Sequence, residues 1–154
     1  MEAILIRCVS ALIGTVGFAL IFSIGTKRLV WASLGGLLTW VMYELAILFG
    51  GGPLIAAFAS SLFMSLYSEA MARIVRAPTV VFLFPSAIPI VPGGSLYYTI
   101  YNLLYYDESA FLSNAKSTLS VALGIAVGMS VSSIIIGVIR QANQSIHDKK
   151  AAQG

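Results

Sequence analysis

The sequence predicts an all-α integral membrane protein with five transmembrane helices, the fourth of which is discontinuous. Of its 154 residues, 58% are hydrophobic and 10% are charged, whereas an average soluble domain has about 25% charged residues. The hydrophobic residues form runs that approach or exceed the ~20 residues needed to cross a ~30 Å hydrocarbon core. We therefore expect one transmembrane domain over residues 1–154, embedded in a lipid bilayer.

The five predicted spans follow the apolar runs of the chain. They are Ala3–Ile24, Leu29–Phe49, Pro53–Met71, Thr79–Leu104 and Ser117–Ile139. No soluble domain fits in the predicted connections, which are Gly25–Arg28, Gly50–Gly52, Ala72–Pro78 and Tyr105–Lys116. A basic tail, residues 140–154, follows the last span. The first span has no preceding basic region and no following A-x-A cleavage site, so we expect a retained helix rather than a signal peptide.

The basic residues predict the orientation of these spans. If the N-terminus is outside, the cytoplasmic basic residues are Lys27, Arg28, Arg73, Arg76, Arg140, Lys149 and Lys150. Only Arg7 and Lys116 then lie near the outer face. By the positive-inside rule, this bias predicts an outside N-terminus and a cytoplasmic C-terminus in the cell (inner or plasma) membrane.

The fourth span contains the most informative stretch of the chain, Phe84–Tyr98, which reads FPSAIPIVPGGSLYY. Its three prolines lack an N–H donor, and Gly93-Gly94 adds a flexible joint. Lipid offers no partner for a free N–H or C=O, so such backbone must be buried by protein or solvated in a polar cavity. A re-entrant loop here would put the basic C-terminus outside. We therefore expect a complete but discontinuous crossing, with a kink that only shapes helix packing as the structural alternative.

The second half of this broken span predicts an anion site. If a helix starts near Ser95, this serine is the N-cap, and the N–H groups of Leu96 and its next two neighbours are free. Together with the helix dipole they favour an anion, and broken helices of transporters hold substrate carboxylates in this way. The predicted substrate-binding residues are Pro89, Pro92, Gly93, Gly94, Ser95, Tyr98, Tyr101 and Asn102.

Tyrosines follow this predicted site at helical spacing. One face of the helix carries Tyr97, Tyr101 and Tyr105, and the adjacent face carries Tyr98, Asn102 and Tyr106. The last two tyrosines suit an aromatic belt at the outer interface. The deeper hydroxyl and amide groups need partners or water, which indicates either a substrate pathway or a deeper part of the same belt.

Few ionisable residues lie within the predicted spans. Glu44 would cost roughly 2–3 kcal/mol if charged and unpaired near the membrane centre. It is a candidate for proton coupling or substrate contact, or a neutral or snorkelling carboxyl near the interface. Glu69 has an i+4 partner in Arg73, which predicts a structural salt bridge. We expect Arg7 to snorkel to the outer interface.

The last span has small residues at every fourth position, namely Ser120, Gly124, Gly128 and Ser132. This stripe predicts close helix packing, with a partner helix either in this chain or in another.

Motifs of catalysis are missing from the sequence. It has no metal-ligand cluster, no Ser/His/Asp or Cys/His set and no phosphate-binding loop. Its net charge of +3 comes from basic residues that occur singly or in pairs. We therefore expect no enzymatic activity, no metal or cofactor, and no nucleic-acid binding.

Three stretches of this sequence resemble the C-terminal module of the threonine/serine exporter family. They are Glu69–Arg73 (EAMAR), Arg76–Thr79 (RAPT) and Ile88–Tyr97 (IPIVPGGSLY). The resemblance implies export of small amino acids or dicarboxylic acids, driven by the proton gradient. In that family a short hydrophobic subunit of this size commonly pairs with a larger membrane subunit, so the resemblance also implies such a partner.

Hypotheses of different classes stay open. The leading one is a subunit of a two-component secondary exporter that holds a substrate carboxylate near Gly93–Ser95 and carries protons on Glu44. The alternative is a non-transporting accessory or scaffold subunit that docks a larger partner through its Gly124/Gly128 face. A homo-oligomeric channel is a third possibility, favoured only if the chain alone conducts.

Overall fold

The computed structural model describes residues 2–105 and 107–151, without the side chains of residues 2–4, 143 and 145–151. Helices make up 88% of the structure, and the described residues form no strand. The α-helices are α1 (Glu2–Ile21), α2 (Thr26–Leu48), α3 (Pro53–Val75), α4 (Val80–Ala87), α5 (Gly93–Leu104) and α6 (Glu108–Ala151). A 3-10 turn, Ile88–Ile90, joins α4 to α5. The predicted all-α class is therefore confirmed.

Length and apolar character identify the helices that suit a membrane. Helices α2, α3 and α6 are each long and apolar enough to cross one, and α4 with the 3-10 turn and α5 forms a pair bent by 50°. Counting that pair as one span gives four candidates. The apolar stretch Leu5–Ile21 of α1 is shorter than the 18 residues that these candidates reach. The chain is a multi-pass membrane protein.

Helix α3 lies at the centre of the bundle, with α2 and α6 packed against it. Helices α1 and α4 pack on α2, and α5 packs on α6. The buried residues of α3 are mostly small: Ala56, Ala57, Ser60, Ser61, Met64, Ser65, Ser68 and Ala72. Small side chains let helix backbones approach closely. Such close packing drives helix association in a membrane, because the hydrophobic effect does not act between helices that are surrounded by lipid.

Two ion pairs mark the two ends of the bundle. At one end, which we call the Glu69 end, Glu69 late in α3 contacts Thr79 just before α4 and Arg140 in α6. At the opposite end, the Glu44 end, Arg7 early in α1 contacts Glu44 late in α2.

Gly124 and Gly128 of α6 are buried against α3 of the same chain. A Cβ atom at Gly124 would lie 2.5 Å from the Leu54 carbonyl oxygen, and one at Gly128 would lie 2.6 Å from the Phe58 carbonyl oxygen. The predicted close packing is confirmed, with its partner inside this chain. The hypothesis that this face docks a larger subunit is wrong, because α3 already covers it. Because Gly124 lies about four turns into α6 and contacts Leu54 near the start of α3, the first turns of α6 extend past α3 at the Glu44 end.

The bent pair of α4 and α5 runs from one end of the bundle toward the other. The Thr79 hydroxyl, just before α4, donates to Glu69 at 2.9 Å. In α5, the Thr99 hydroxyl lies 3.5 Å from that of Thr118, near the start of α6. Thr118 and Arg140 belong to one continuous helix and are roughly 33 Å apart at 1.5 Å per residue.

Helix α6 is longer than the predicted span Ser117–Ile139. The Asp107 carboxylate accepts a hydrogen bond from the Ala110 N–H at 3.1 Å, and an aspartate at this N-cap position stabilises a helix start. Most of the predicted connection Tyr105–Lys116 is therefore helical, and the same helix continues through the predicted tail to Ala151.

Replacing Gly124 or Gly128 by alanine should destabilise the protein, because the new methyl group meets the α3 backbone. We expect a loss of about 1–3 kcal/mol, measured as a lower thermal unfolding midpoint in detergent. Gly137→Ala is the matched control, since it lies in the same helix with nothing within 4 Å of its Cβ position. Equal midpoints for all three variants would contradict the tight α3–α6 contact.

Candidate functional site

The break between α4 and α5 contains a 3-10 turn, one extended residue and a new helix start. Val91 is extended, Pro92 holds the N-cap position, and α5 begins at Gly93. The Pro92 carbonyl accepts the Leu96 N–H at 3.0 Å, which closes the first helical turn earlier than predicted. The prediction that Ser95 is the N-cap is therefore wrong. Its hydroxyl instead donates back to the Pro92 carbonyl at 3.2 Å.

The free backbone N–H groups at the start of α5 therefore differ from those predicted. The Gly93 N–H donates to the Val91 carbonyl at 2.8 Å, and the Leu96 N–H is also bonded. Gly94 and Ser95 lie in the first turn of α5, where a helix offers no carbonyl to the N–H groups. These two N–H groups replace the three predicted from the sequence as the donors that the helix dipole directs toward an anion.

Gly93 and Gly94 lie on an open surface. Both are exposed, and a Cβ atom at either position would meet nothing within 4 Å. No residue of α5 is buried, and Tyr98 and Tyr101 are 55% and 42% exposed. Asn102 is only partly exposed. The predicted binding residues of α5 therefore share one helix that the rest of the described chain leaves largely uncovered.

The tyrosines of α5 form a stacked row. The ring centroids of Tyr97 and Tyr101 are 6.2 Å apart, and those of Tyr101 and Tyr105 are 4.4 Å apart. The Tyr98 ring contacts Tyr97 edge-on at 5.3 Å. The predicted arrangement of Tyr97, Tyr101 and Tyr105 on one face is confirmed, while Tyr106 lies outside the described residues.

Glu44 is buried and paired with Arg7. The Arg7 Nη1 donates to the Glu44 Oε1 at 3.1 Å, and Glu44 is only 9% exposed. The Arg7 guanidinium compensates this buried carboxylate, and 62% of the Arg7 side chain is exposed. The two residues are 37 positions apart in the chain, so no local spacing rule predicts the pair.

A cavity of about 380 Å³ lies between α1, α2 and the 3-10 turn. Arg7, Ser10, Trp40 and Pro89 are among its lining residues. The indole N–H of Trp40 is buried and has no hydrogen-bond partner among the described residues. Pro89 thus belongs to a polar-edged cavity beside the Arg7–Glu44 pair, whereas the other predicted substrate residues do not line it.

Glu69 joins three parts of the bundle. Its Oε1 accepts hydrogen bonds from Arg73 at 3.0 Å and from Arg140, and its Oε2 accepts one from Thr79 at 2.9 Å. The predicted Glu69–Arg73 salt bridge is confirmed. Arg140 is 71 positions away, and its contact depends on how α6 packs on α3.

A second cavity, of about 290 Å³, opens beside Glu69 between α3, α4 and α6. Ser65 and Ser132 line it, and both hydroxyls are buried with no hydrogen-bond partner among the described residues. The sequence alone does not predict this cavity, because Ser132 also fits the packing stripe of the last span. The run of serines along the third span was the available signal.

Together these features define a class of protein. Apolar helices carry paired carboxylates beside open cavities, and one helix pair is broken by prolines and glycines, as is typical of helical membrane transporters. Residues 7–135 match the family described as Threonine/Serine exporter, ThrE. The chain belongs to the threonine/serine exporter family.

No match was found among the curated proteins or among the solved structures. Within the described residues, no group of His, Cys, Asp and Glu could hold a metal ion.

Proposed function

We propose that this chain is one subunit of a two-component, proton-coupled secondary exporter for small amino acids of the threonine/serine kind or for small carboxylic acids. Membership of the threonine/serine exporter family supports export as the process. The observation that carries the site is the start of α5, where the N–H groups of Gly94 and Ser95 precede any helical carbonyl. A substrate carboxylate there meets two donors and the positive end of the helix dipole.

The other predicted residues support this site in different ways. Gly93 and Gly94 admit the substrate because no side chain occupies the space at their Cβ positions. The residues that shape the break or line the path beyond it are Pro89, Pro92, Tyr98, Tyr101 and Asn102.

The open surface of α5 supports a partner subunit. A site for a small molecule normally buries most of its ligand, yet α5 has no buried residue. A second protein surface over Gly93 and Gly94 would complete the enclosure. The larger membrane subunit implied by the family resemblance fits this role.

Five spans are part of the proposal. Helix α1 has 20 residues and is about 30 Å long at 1.5 Å per residue. The bent pair extends from the Glu69 end toward the Glu44 end, and a bend of 50° leaves its two halves pointing in the same general direction. A re-entrant loop requires the chain to reverse.

The charges support the orientation. Lys27 and Arg28 begin α2, Arg73 and Arg76 end α3, and Arg140 contacts Glu69, so all five lie toward the Glu69 end. The positive-inside rule then makes the Glu69 end cytoplasmic and the N-terminus external.

Single cysteines test this topology in a Cys8→Ser background. We expect a membrane-impermeant maleimide to label Gly52→Cys and Ser109→Cys in intact cells, and Gly25→Cys only after permeabilisation. The three positions are exposed in the connections or at the start of α6. Labelling of Ser109→Cys only after permeabilisation would identify a re-entrant loop and contradict five spans.

Gly93→Leu and Gly94→Leu test the proposed site. Export of radiolabelled threonine from cells that also make the larger subunit should fall to background, because a leucine side chain would fill the approach to α5. Membrane insertion and the unfolding midpoint should stay unchanged, since a Cβ atom at either position would meet nothing within 4 Å. Gly25→Leu is the control that should retain export. Gly25 is also exposed, and a Cβ atom there would meet nothing within 4 Å.

The same assay in proteoliposomes separates the competing functions. Export only with the larger subunit supports the two-component arrangement. Wild-type export by the Gly93→Leu and Gly94→Leu variants would refute the site, and ion conduction by the chain alone would favour a channel.

Glu44 is the proposed proton carrier. It is buried, and its partner Arg7 is 62% exposed at the side chain, so the arginine has room to move away from it. We expect Glu44→Gln to retain exchange of labelled for unlabelled threonine but to lose export driven by an imposed pH gradient. Glu108→Gln, an exposed carboxylate at the start of α6, is the control. Gradient-driven export by Glu44→Gln would exclude this role.

A further inference from the structure

The cavity beside Glu69 is separate from the proposed site on α5. It lies at the Glu69 end, between α3, α4 and α6, and its volume is about 290 Å³. That volume is close to the lower limit of roughly 300 Å³ for small-molecule sites. A ligand of few non-hydrogen atoms fits such a space.

Two serine hydroxyls of the cavity lack a hydrogen-bond partner, whereas other serines of these helices donate to a carbonyl oxygen of the preceding turn. Ser60 donates to the Ala56 carbonyl at 2.8 Å, and Ser130 donates to the Ala126 carbonyl at 2.8 Å. Ser132 is fully buried and Ser65 is 8% exposed, yet neither hydroxyl has a partner within the described residues. A buried hydroxyl without a hydrogen bond costs free energy, which a polar ligand would recover.

The charges around the cavity favour a carboxylate with an ammonium group nearby. Glu69 faces two guanidinium groups, from Arg73 and Arg140, which leaves one positive charge in excess within this cluster. Arg140 is 59% exposed at its side chain and has the planar donor geometry that suits a carboxylate. Glu69 Oε2 accepts a hydrogen bond only from Thr79 among the described residues, so this oxygen retains capacity for an ammonium donor.

We propose that this cavity is a second substrate site, which binds a small zwitterionic amino acid that carries a hydroxyl group. The ligand carboxylate pairs with Arg140, its ammonium group with Glu69, and its hydroxyl with Ser65 and Ser132. A dicarboxylic acid is disfavoured because its second carboxylate would face Glu69. The inference rests on the proposed function as an exporter, and it adds to that function a second substrate position, at the Glu69 end and separate from the start of α5.

The test measures equilibrium binding of L-threonine, L-alanine and succinate to the purified full chain in nanodiscs, together with the larger subunit. All variants are made in the Gly93→Leu background, so that binding at the start of α5 does not contribute. Ser65→Ala/Ser132→Ala should weaken threonine binding at least about tenfold and leave alanine binding nearly unchanged. The unfolding midpoint should not fall, because both hydroxyls lack protein partners.

Two matched controls lie in the same helices. Ser68→Ala removes a buried, unpartnered hydroxyl of α3 that does not line the cavity, and Ser130→Ala removes an exposed hydroxyl of α6. Both should bind threonine as the Gly93→Leu parent does. Glu69→Gln is a further variant, for which we expect the ratio of threonine to succinate affinity to fall.

Each outcome decides the proposal. Absence of threonine binding in the Gly93→Leu parent, or unchanged threonine affinity in the double serine variant, overturns the cavity site while leaving export by the wild type intact. A wild-type complex that exports neither threonine nor succinate refutes the proposed function itself.

Discussion

The close contact between α3 and α6 is the constraint on which the rest of the structure depends. Gly124 and Gly128 let the backbone of α6 approach that of α3 so closely that even a methyl group would clash. That approach sets the register of α6, and the register brings Ser132 and Arg140 opposite α3. The Glu69 network and its cavity are therefore consequences of small residues that have no chemistry of their own. Glycine at these positions serves packing inside the chain and not recognition of a partner.

Lipid imposes the second constraint, because each backbone polar group at membrane depth needs a partner. The break after α4 satisfies part of this need locally, through the bonds of Gly93 and Leu96 to nearby carbonyls. The N–H groups of Gly94 and Ser95 lie at the start of α5, a helix that the rest of the described chain does not bury. A surface with free donors, glycines and a row of tyrosines is incomplete as a membrane structure on its own. This incompleteness is the observation that supports the proposed two-component arrangement.

Predictions from the sequence succeeded where the interacting residues are neighbours on one helix. The Tyr97–Tyr101 stacking and the Glu69–Arg73 salt bridge follow from i+4 spacing. The Arg7–Glu44 pair was not predicted, because its members come from different helices. The N-cap of α5 was predicted at Ser95, whereas the structure has Pro92 there. Ser95 is a good N-cap by residue type, but the carbonyl of Pro92 closes the first turn of α5 before it.

The sequence by itself determined the all-α membrane class, the position of the break and the uneven placement of basic residues, because composition and local spacing depend only on the order of residues. It also determined that Gly124 and Gly128 pack closely against some helix. Only the tertiary structure decided that this helix is α3, that Glu44 has a cationic partner, and that buried serines surround a cavity beside Glu69. These features depend on which helix faces pack together and in which register. Residues far apart in the chain show no local sequence pattern from which that packing can be predicted.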